Sequence, residues 1–413
     1  MTSERFLHPV SPVTRPSEAS LRATVERLAA VHRPPCSPGE REAAHLISDR
    51  LNGLGHSAEV QEVPAYGSYA WPVGALTGLA TVTGLAAGRF PRTGAAAAAA
   101  LTAALADEVS YGRQLARTVL SPRRTACNVV AELTPPRAAH REAHREAHRT
   151  LVVMAHHDAA PTGAVFDQTV SRWFAARYPH LVERMTENPP LWWPVVAGPA
   201  LIALGGAVRS RALRRTGTAV SALTTLAMAD IGSRTAVPGA NDNLSGVAVL
   251  VALAESLARR PIPGLRVILF SAGAEEALQE GVRGFAHARF PDLPRETTWF
   301  LNLDTVGSGN LVLLDAEGPL RMEPYDTAFG DLIARCAVEQ GIAVQRGMRS
   351  RASTDAVVPH RHGYPTACLV SLDDQRLIPN YHLPTDTPDN VDYRCVADAA
   401  RLAESVARAL AAH

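Results

Sequence analysis

The sequence has no C-x-x-C spacing, and its five cysteines, Cys36, Cys127, Cys336, Cys368 and Cys395, are scattered and odd in number. That argues against a disulfide framework or a thiolate zinc site and leaves the cysteines as small, mostly buried apolar residues. Nor does either charge dominate. The 41 basic and 40 acidic residues nearly cancel, for a formal net charge of +1, so nothing in the balance points to nucleic acid, and specificity must come from a local site. The first residues, MTSERFLHPVSPVTRPSEAS, lack a basic segment followed by an apolar one, so no cleavable secretory signal is expected. Apolar residues are plentiful instead, at 46% of 413, ample for a substantial core in one large domain or two ordinary ones.

Residues 1–16, rich in proline and polar groups, read as a flexible arm. Ser17 or Ser20 caps a helix running to about Val31, and a second helix follows Ser37 and Pro38 and ends at Gly53 and Gly55. Alternation over 58–63 predicts a strand, and further strands fall at 128–133, 150–155, 267–270, 298–303, 311–314 and 366–370. Between and after them, helices are expected at 243–260, 325–340 and 391–412. This alternation predicts an α/β fold, a three-layer α/β/α sandwich with a mixed, largely parallel central sheet.

Two stretches depart from the pattern. Residues 71–88 are apolar and uncharged, and lead through Arg89 and Arg92 in a Pro/Gly turn to the alanine run 95–106. Residues 191–208 repeat the design, leading through Arg209, Arg211, Arg214 and Arg215 to 220–229. Each predicts an apolar helical hairpin with a basic tip. Trp71, Trp192 and Trp193 lie at the ends away from the arginines, which fits an interfacial belt and a membrane-associated protein held by four apolar segments. The alternative is a cytoplasmic, soluble protein in which the small residues make a helical cap or a dimerisation surface. Between the hairpins, HREAHREAHR puts His140, His144 and His148 four residues apart; a solvated connector is the expectation there rather than a metal patch.

The chemistry collects at strand ends, where ligands bind in open α/β sheets. The strand at 150–155 ends in His156, His157 and Asp158, and the strand at 267–270 leads to the neighbouring Glu275 and Glu276. Asp242 stands in GANDNLSG before a helix, Asp304 in LNLDTVG after a strand, and His382 in NYHLPTDTPDN. Taken alone, each is the ordinary furniture of caps and turns. Together they are two histidines and several carboxylates without a cysteine, a donor set for a pair of borderline divalent ions, with zinc the first choice and manganese or cobalt as options.

The motifs AHHD, the D-x-x-S-G of NDNLSG, GAEEALQEGVRGF, NLDTVG and YHLPTDTPDN, in that order, make the sequence resemble metallopeptidase family 28, which includes bacterial leucyl aminopeptidases and glutamate carboxypeptidases. The resemblance implies that His156, Asp242, Glu276, Asp304 and His382 hold two zinc ions, with Asp242 as the bridge and Asp158 as the partner of His156. It implies that Glu275 is the general base, taking a proton from the attacking water and passing it to the leaving amine, an assignment that the chemistry of paired metals also supports. Tyr381 would steady the oxyanion. The peptidase domain would span 17–413, interrupted by 71–109 and by 160–232, the latter containing the hairpin at 191–230, since the family does not carry these segments.

The function expected is that of an aminopeptidase acting on peptides with a free N-terminus. Carboxypeptidase, dipeptidase and amidohydrolase activities fit the same site. A glutaminyl-cyclase-like aminoacyltransferase is a further alternative, though such enzymes resemble single-zinc versions of the site. A non-enzymatic receptor-like protein would be expected to have lost ligands, and none is lost here.

Overall fold

The structure is a computed structural model that describes residues 13–133 and 149–412. Nine strands, β1 (Ser57–Ala65), β2 (Arg124–Leu133), β3 (Arg149–His156), β4 (Leu265–Ala272), β5 (Thr298–Leu303), β6 (Asn310–Glu317), β7 (Glu323–Pro324), β8 (Val344–Ser350) and β9 (Thr366–Leu372), form one sheet among the described residues. Their order is β1-β2-β4-β3-β5-β9-β6-β7, with β8 beside β6. The four central strands, β4-β3-β5-β9, run parallel, while β1 with β2, β2 with β4, β9 with β6 and β6 with β7 pair antiparallel. The sheet is therefore mixed with a parallel centre, rather than largely parallel. The apolar runs LVVMA in β3 and VILF in β4 are buried on both faces, which is why they occupy the middle.

The helices that bear on the site are α1 (Glu18–Ala29), α2 (Pro38–Gly53), α3 (Ala70–Ala86), α4 (Pro91–Val109), α5 (Leu115–Leu120), α6 (Thr169–Arg177), α7 (Trp193–Ala207), α8 (Arg211–Ser233), α9 (Ser245–Arg259), α10 (Glu280–Arg289), α11 (Thr327–Glu339) and α12 (Tyr393–Ala412). Alternate residues of the strands face opposite layers. Leu151, Val153, Val267 and Leu269 pack with α1, α2, α9, α11 and α12, whereas Val152, Met154, Ile268 and Phe270 pack with Val282 and Phe285 of α10. All five cysteines are free, four of them buried and Cys36 half-buried.

Helices α3, α4, α7 and α8 pack on one another as a bundle. Glycines set the close approach: a Cβ on Gly198 would lie 2.5 Å from Ser221 Oγ, and one on Gly206 2.7 Å from Ala95 Cβ. The core of the bundle, with Tyr69, Val73, Leu105, Val195, Met228 and Ile231, also takes in Leu278 from the loop after β4, so the bundle sits directly against that loop.

A four-segment membrane span is not what this bundle forms. Among the described residues no helix is long and apolar enough to cross a membrane. The apolar helices α3 and α7 have only 17 and 15 residues, about 25 Å or less at 1.5 Å per residue against a hydrocarbon core of about 30 Å. Nor do the tryptophans form a belt. Trp192 packs edge-on against Tyr69, Trp193 donates to Pro319 O at 3.1 Å and lies under Arg351, and the Trp71 indole donates to Leu120 O at 2.7 Å. The indole N–H groups of Trp71 and Trp193 are thus satisfied within the protein. His140, His144 and His148 lie outside the described residues.

Candidate metal centre

The loops after the parallel strands converge. β3 ends on His156, followed by His157 and Asp158; β4 leads through Gly273 and Ala274 to Glu275 and Glu276; β5 leads to Asp304, whose N–H donates to Leu369 O of β9 at 3.0 Å. The turn before α9 presents Asp242, joined to Asn243 by a cis peptide, and the long loop after β9 presents Tyr381 and His382. All of the candidate donors are buried.

Asp242 stands between the two histidines. Its Oδ1 is 3.2 Å from His156 Nε2 and its Oδ2 is 3.3 Å from His382 Nε2. His382 Nε2 is also 3.4 Å from Glu276 Oε2, while Glu275 Oε2 is 3.9 Å from His156 Nε2. One donor atom each from His156, Asp242 and Glu276 falls within 4.8 Å of the others. Glu276 Oε1 and His382 Nδ1 are buried without a hydrogen-bond partner, whereas Glu275 Oε1 accepts from Gln279 Nε2. Asp158 does more than face His156, whose Nδ1 is 3.4 Å from Asp158 Oδ1. Its two oxygens accept the backbone N–H groups of Glu275 and Glu276 at 3.1 and 3.0 Å, clamping the acidic pair in place. Tyr381 stacks on His382 with ring centroids 3.9 Å apart, and Phe166 meets the His382 ring edge-on at 4.5 Å. His157 points elsewhere, pairing through Nδ1 with Ser271 Oγ at 2.8 Å, and burial lowers its pKa to about 4, so it is neutral.

The electrostatics are those of too many carboxylates in too little water. Burial pushes Glu275 well above the usual carboxylate range against the opposing pull of His156, and Glu276 and Asp355 add to the rise. Burial likewise raises Glu276 and Asp304. Asp242 goes the other way, because its contacts to His156 and His382 outweigh burial and hold it ionised. For His382 burial alone would lower the pKa, yet the Glu276 charge and the Asp242 contact raise it to about 10. Such a cluster calls for positive charge, and a divalent cation is the compact form of it. Two imidazoles and several carboxylates, with a bare carboxylate oxygen among them, fit a zinc-type ion and contain no thiolate.

Several further buried residues hold the site in place without being candidate donors. Arg33, 1% exposed, donates to His157 O at 2.7 Å, Pro238 O at 2.6 Å and Gly239 O at 2.7 Å, tying the loop after β3 to the turn before α9. Gly239 has φ of +58°, and a Cβ there would lie 2.7 Å from Arg33 Nη2, so a side chain would be strained and crowded together. Asp386 accepts from the N–H of Asn241 at 2.8 Å and of Asp242 at 3.0 Å. Asn241 and Asn243 in turn accept the N–H groups of Gly307 and Thr305, locking the Asp242 turn to the loop that carries Asp304. Glu40 accepts from Cys127 N and Ala274 N and anchors the approach to Glu275. Asp355 is buried near Glu275 with neither carboxylate oxygen partnered, and its pKa is pushed up to about 7, chiefly by burial. Arg33 and Asp355 look like any loop residue in the sequence; only their burial sets them apart.

With this geometry in place, residues 216–407 match the model of peptidase family M28. The match covers a little under half of the chain. It takes in Asp242, Glu275, Glu276, Asp304 and His382, while His156 at the end of β3 and Asp158 just after it lie upstream, brought to the same place by the sheet. The chain is also similar to a probable lipoprotein aminopeptidase, LpqL, of Mycobacterium tuberculosis, with 24% identity over 226 residues, 48% of this chain and 45% of that protein. The chain thus spans less than half the length of that curated relative. Two solved structures share the fold. An aminopeptidase from Aneurinibacillus sp. strain AM-1 has a TM-score of 0.55 at 15% identity, over 95% of this chain and 93% of that one. A glutaminyl cyclase from Bacteroides thetaiotaomicron, bound to N-acetylhistamine, has a TM-score of 0.57 at 14% identity, over 96% and 99%. At these identities the likeness is one of fold.

Proposed function

We propose that the protein is a metallo-exopeptidase of the aminopeptidase type, with two divalent ions, zinc the first choice, held by His156, Asp242, Glu276, Asp304 and His382. The observation that carries this is the posture of Asp242, whose two oxygens face one imidazole each at 3.2 and 3.3 Å, as a carboxylate shared between two ions would. The M28 match and the probable aminopeptidase among the relatives support the reaction class. On this reading residues 17–413 form one peptidase domain, and 71–109 and 160–232 are additions to it that bear on access through Leu278 and Phe166.

Bound ions would supply Lewis acidity, polarising the scissile carbonyl and making water a nucleophile near neutral pH. The protein's own groups do the rest. Glu276, grouped with His156 and Asp242, is the ligand of the acidic pair. Glu275 is the general base, its carboxylate taking a proton from water and returning it to the leaving amine; burial raises its pKa above the usual carboxylate range, which makes it a stronger base. Gln279 holds its Oε1 and Asp158 holds its backbone, so the carboxylate is aimed before substrate arrives. Tyr381, braced on His382, would lend its hydroxyl to the oxyanion.

Zinc-loaded protein should cleave unblocked aminoacyl-arylamides and leave their N-acylated forms intact. Metal analysis of His382→Ala and Asp304→Asn should find about one ion fewer than wild type in each; full loading would remove that residue from the ligand set. The cyclase among the structural neighbours makes a second outcome concrete. Cyclisation of an N-terminal glutaminyl peptide, with no arylamide cleavage, would replace the peptidase assignment.

A further inference from the structure

The bundle has two unlike ends. At its base the indole of Trp193 donates to Pro319 O, and Arg117 of α5 reaches Glu108, Ala277 O and Glu280, so this end is fastened to the catalytic layers. The far end is made of the α3–α4 and α7–α8 turns, brought together where Gly206 meets Ala95 and Pro91. Between 63 and 106, and again between 188 and 229, the sequence has no acidic residue. Its charge at this end is Arg89, Arg92, Arg209, Arg211, Arg214 and Arg215, and among the described residues none of the six makes an ion pair. Interleaved with them stand Leu85 at 74% exposure, Phe90 at 56%, Val208 at 59% and Leu204 at 50%. The 23-residue α8 is about 35 Å long, so these side chains project well away from the base.

We propose that this tip docks the protein on an anionic bilayer surface, as a peripheral contact and not a span. An aqueous surface gains nothing from four large apolar side chains ringed by unpaired cations. At a membrane interface the apolar groups enter the acyl boundary while the cations meet lipid phosphates. The chain has no lysine, and the guanidinium fork pairs with phosphate through two hydrogen bonds at once. A nucleic acid would use the arginines and leave Leu85 and Val208 without a role. A second copy of this chain would bring six more unpaired cations against the same face. Charge complementarity therefore favours an anionic lipid surface. The inference does not depend on what the metal centre does.

The test is flotation of the full chain with vesicles of phosphatidylcholine alone or with roughly 30% phosphatidylglycerol, read as the bound fraction. Binding should be at least about tenfold stronger on the anionic vesicles and should weaken as salt is raised toward about 0.5 M. Arg89→Gln, Arg92→Gln, Arg209→Gln and Arg215→Gln combined should lose about tenfold of it, and Leu85→Ser with Phe90→Ser should lose the salt-resistant remainder. Unchanged circular dichroism and zinc content show that each variant is folded, and the salt titration of wild type needs no variant. Equal binding to both vesicle types, or none to either, would overturn the proposal. So would a wild-type dimer that dissociates in the Leu85 and Phe90 variant, or duplex DNA bound more tightly than the anionic vesicles.

Discussion

Glu275 and Glu276 are neighbours in the chain and in space, yet they keep different company. Glu276 faces His382 at 3.4 Å with its second oxygen unpartnered, while Glu275 faces His156 at 3.9 Å with its second oxygen held by Gln279. Glu275→Gln should therefore lower turnover by roughly 10²–10⁴-fold with bound zinc unchanged; loss of metal in that variant would mean the roles are exchanged. A second carboxylate sets a pH dependence of stability. Glu317, buried and bonded by Tyr325 and Thr354, has its pKa raised by burial to about 7 from 4.5. A raised carboxyl binds its proton more tightly when folded, so its contribution is complete below about pH 4.5 and is lost as pH rises through about 7. Urea titrations at several pH values should find wild type weakening between pH 5 and 7 relative to Glu317→Gln; parallel curves would show that Glu317 ionises freely. The candidate donors were legible in the sequence because each stands in a short motif. Glu317 and Asp355 were not, since their character comes from burial by segments distant in the chain.

At the scale of elements, α5 is six residues long and carries one buried cation. Arg117 pairs with Glu108 at 2.5 Å and with Glu280 at 2.6 Å, all three side chains being nearly inaccessible. Arg117→Met would strand two carboxylates in the interior and should cost about 3–5 kcal/mol, read as a lower urea midpoint. A change under about 1 kcal/mol would mean water reaches the triad. The central strands were legible because buried parallel strands are continuous apolar runs, and α1, α2 and α9 because their apolar spacing and flanking residues agree. The strand β8 was missed: VQRGMRS is mostly exposed at the edge of the sheet and carries neither alternation nor an apolar run. The hairpin segments show helix but not destination in the sequence, since an alanine- and glycine-rich helix looks much the same whether it meets lipid or another helix.

For the molecule as a whole, ions bound to the folded state and not the unfolded one must stabilise it. Chelation should lower the thermal midpoint and added zinc restore it, the recovery growing with zinc concentration; a midpoint indifferent to chelator would remove metal from the centre. Asp386 bears on how such a centre could fail. It lies on the same loop as His382, yet its carboxylate holds the backbone of Asn241 and Asp242. One loop thus carries a donor and steadies the residue placed between the two histidines, so the donors on either side of Asp242 do not drift independently. Damage at Asp386 would be felt as a common fault: if two ions are held as proposed, both would loosen together rather than one leaving and the other staying.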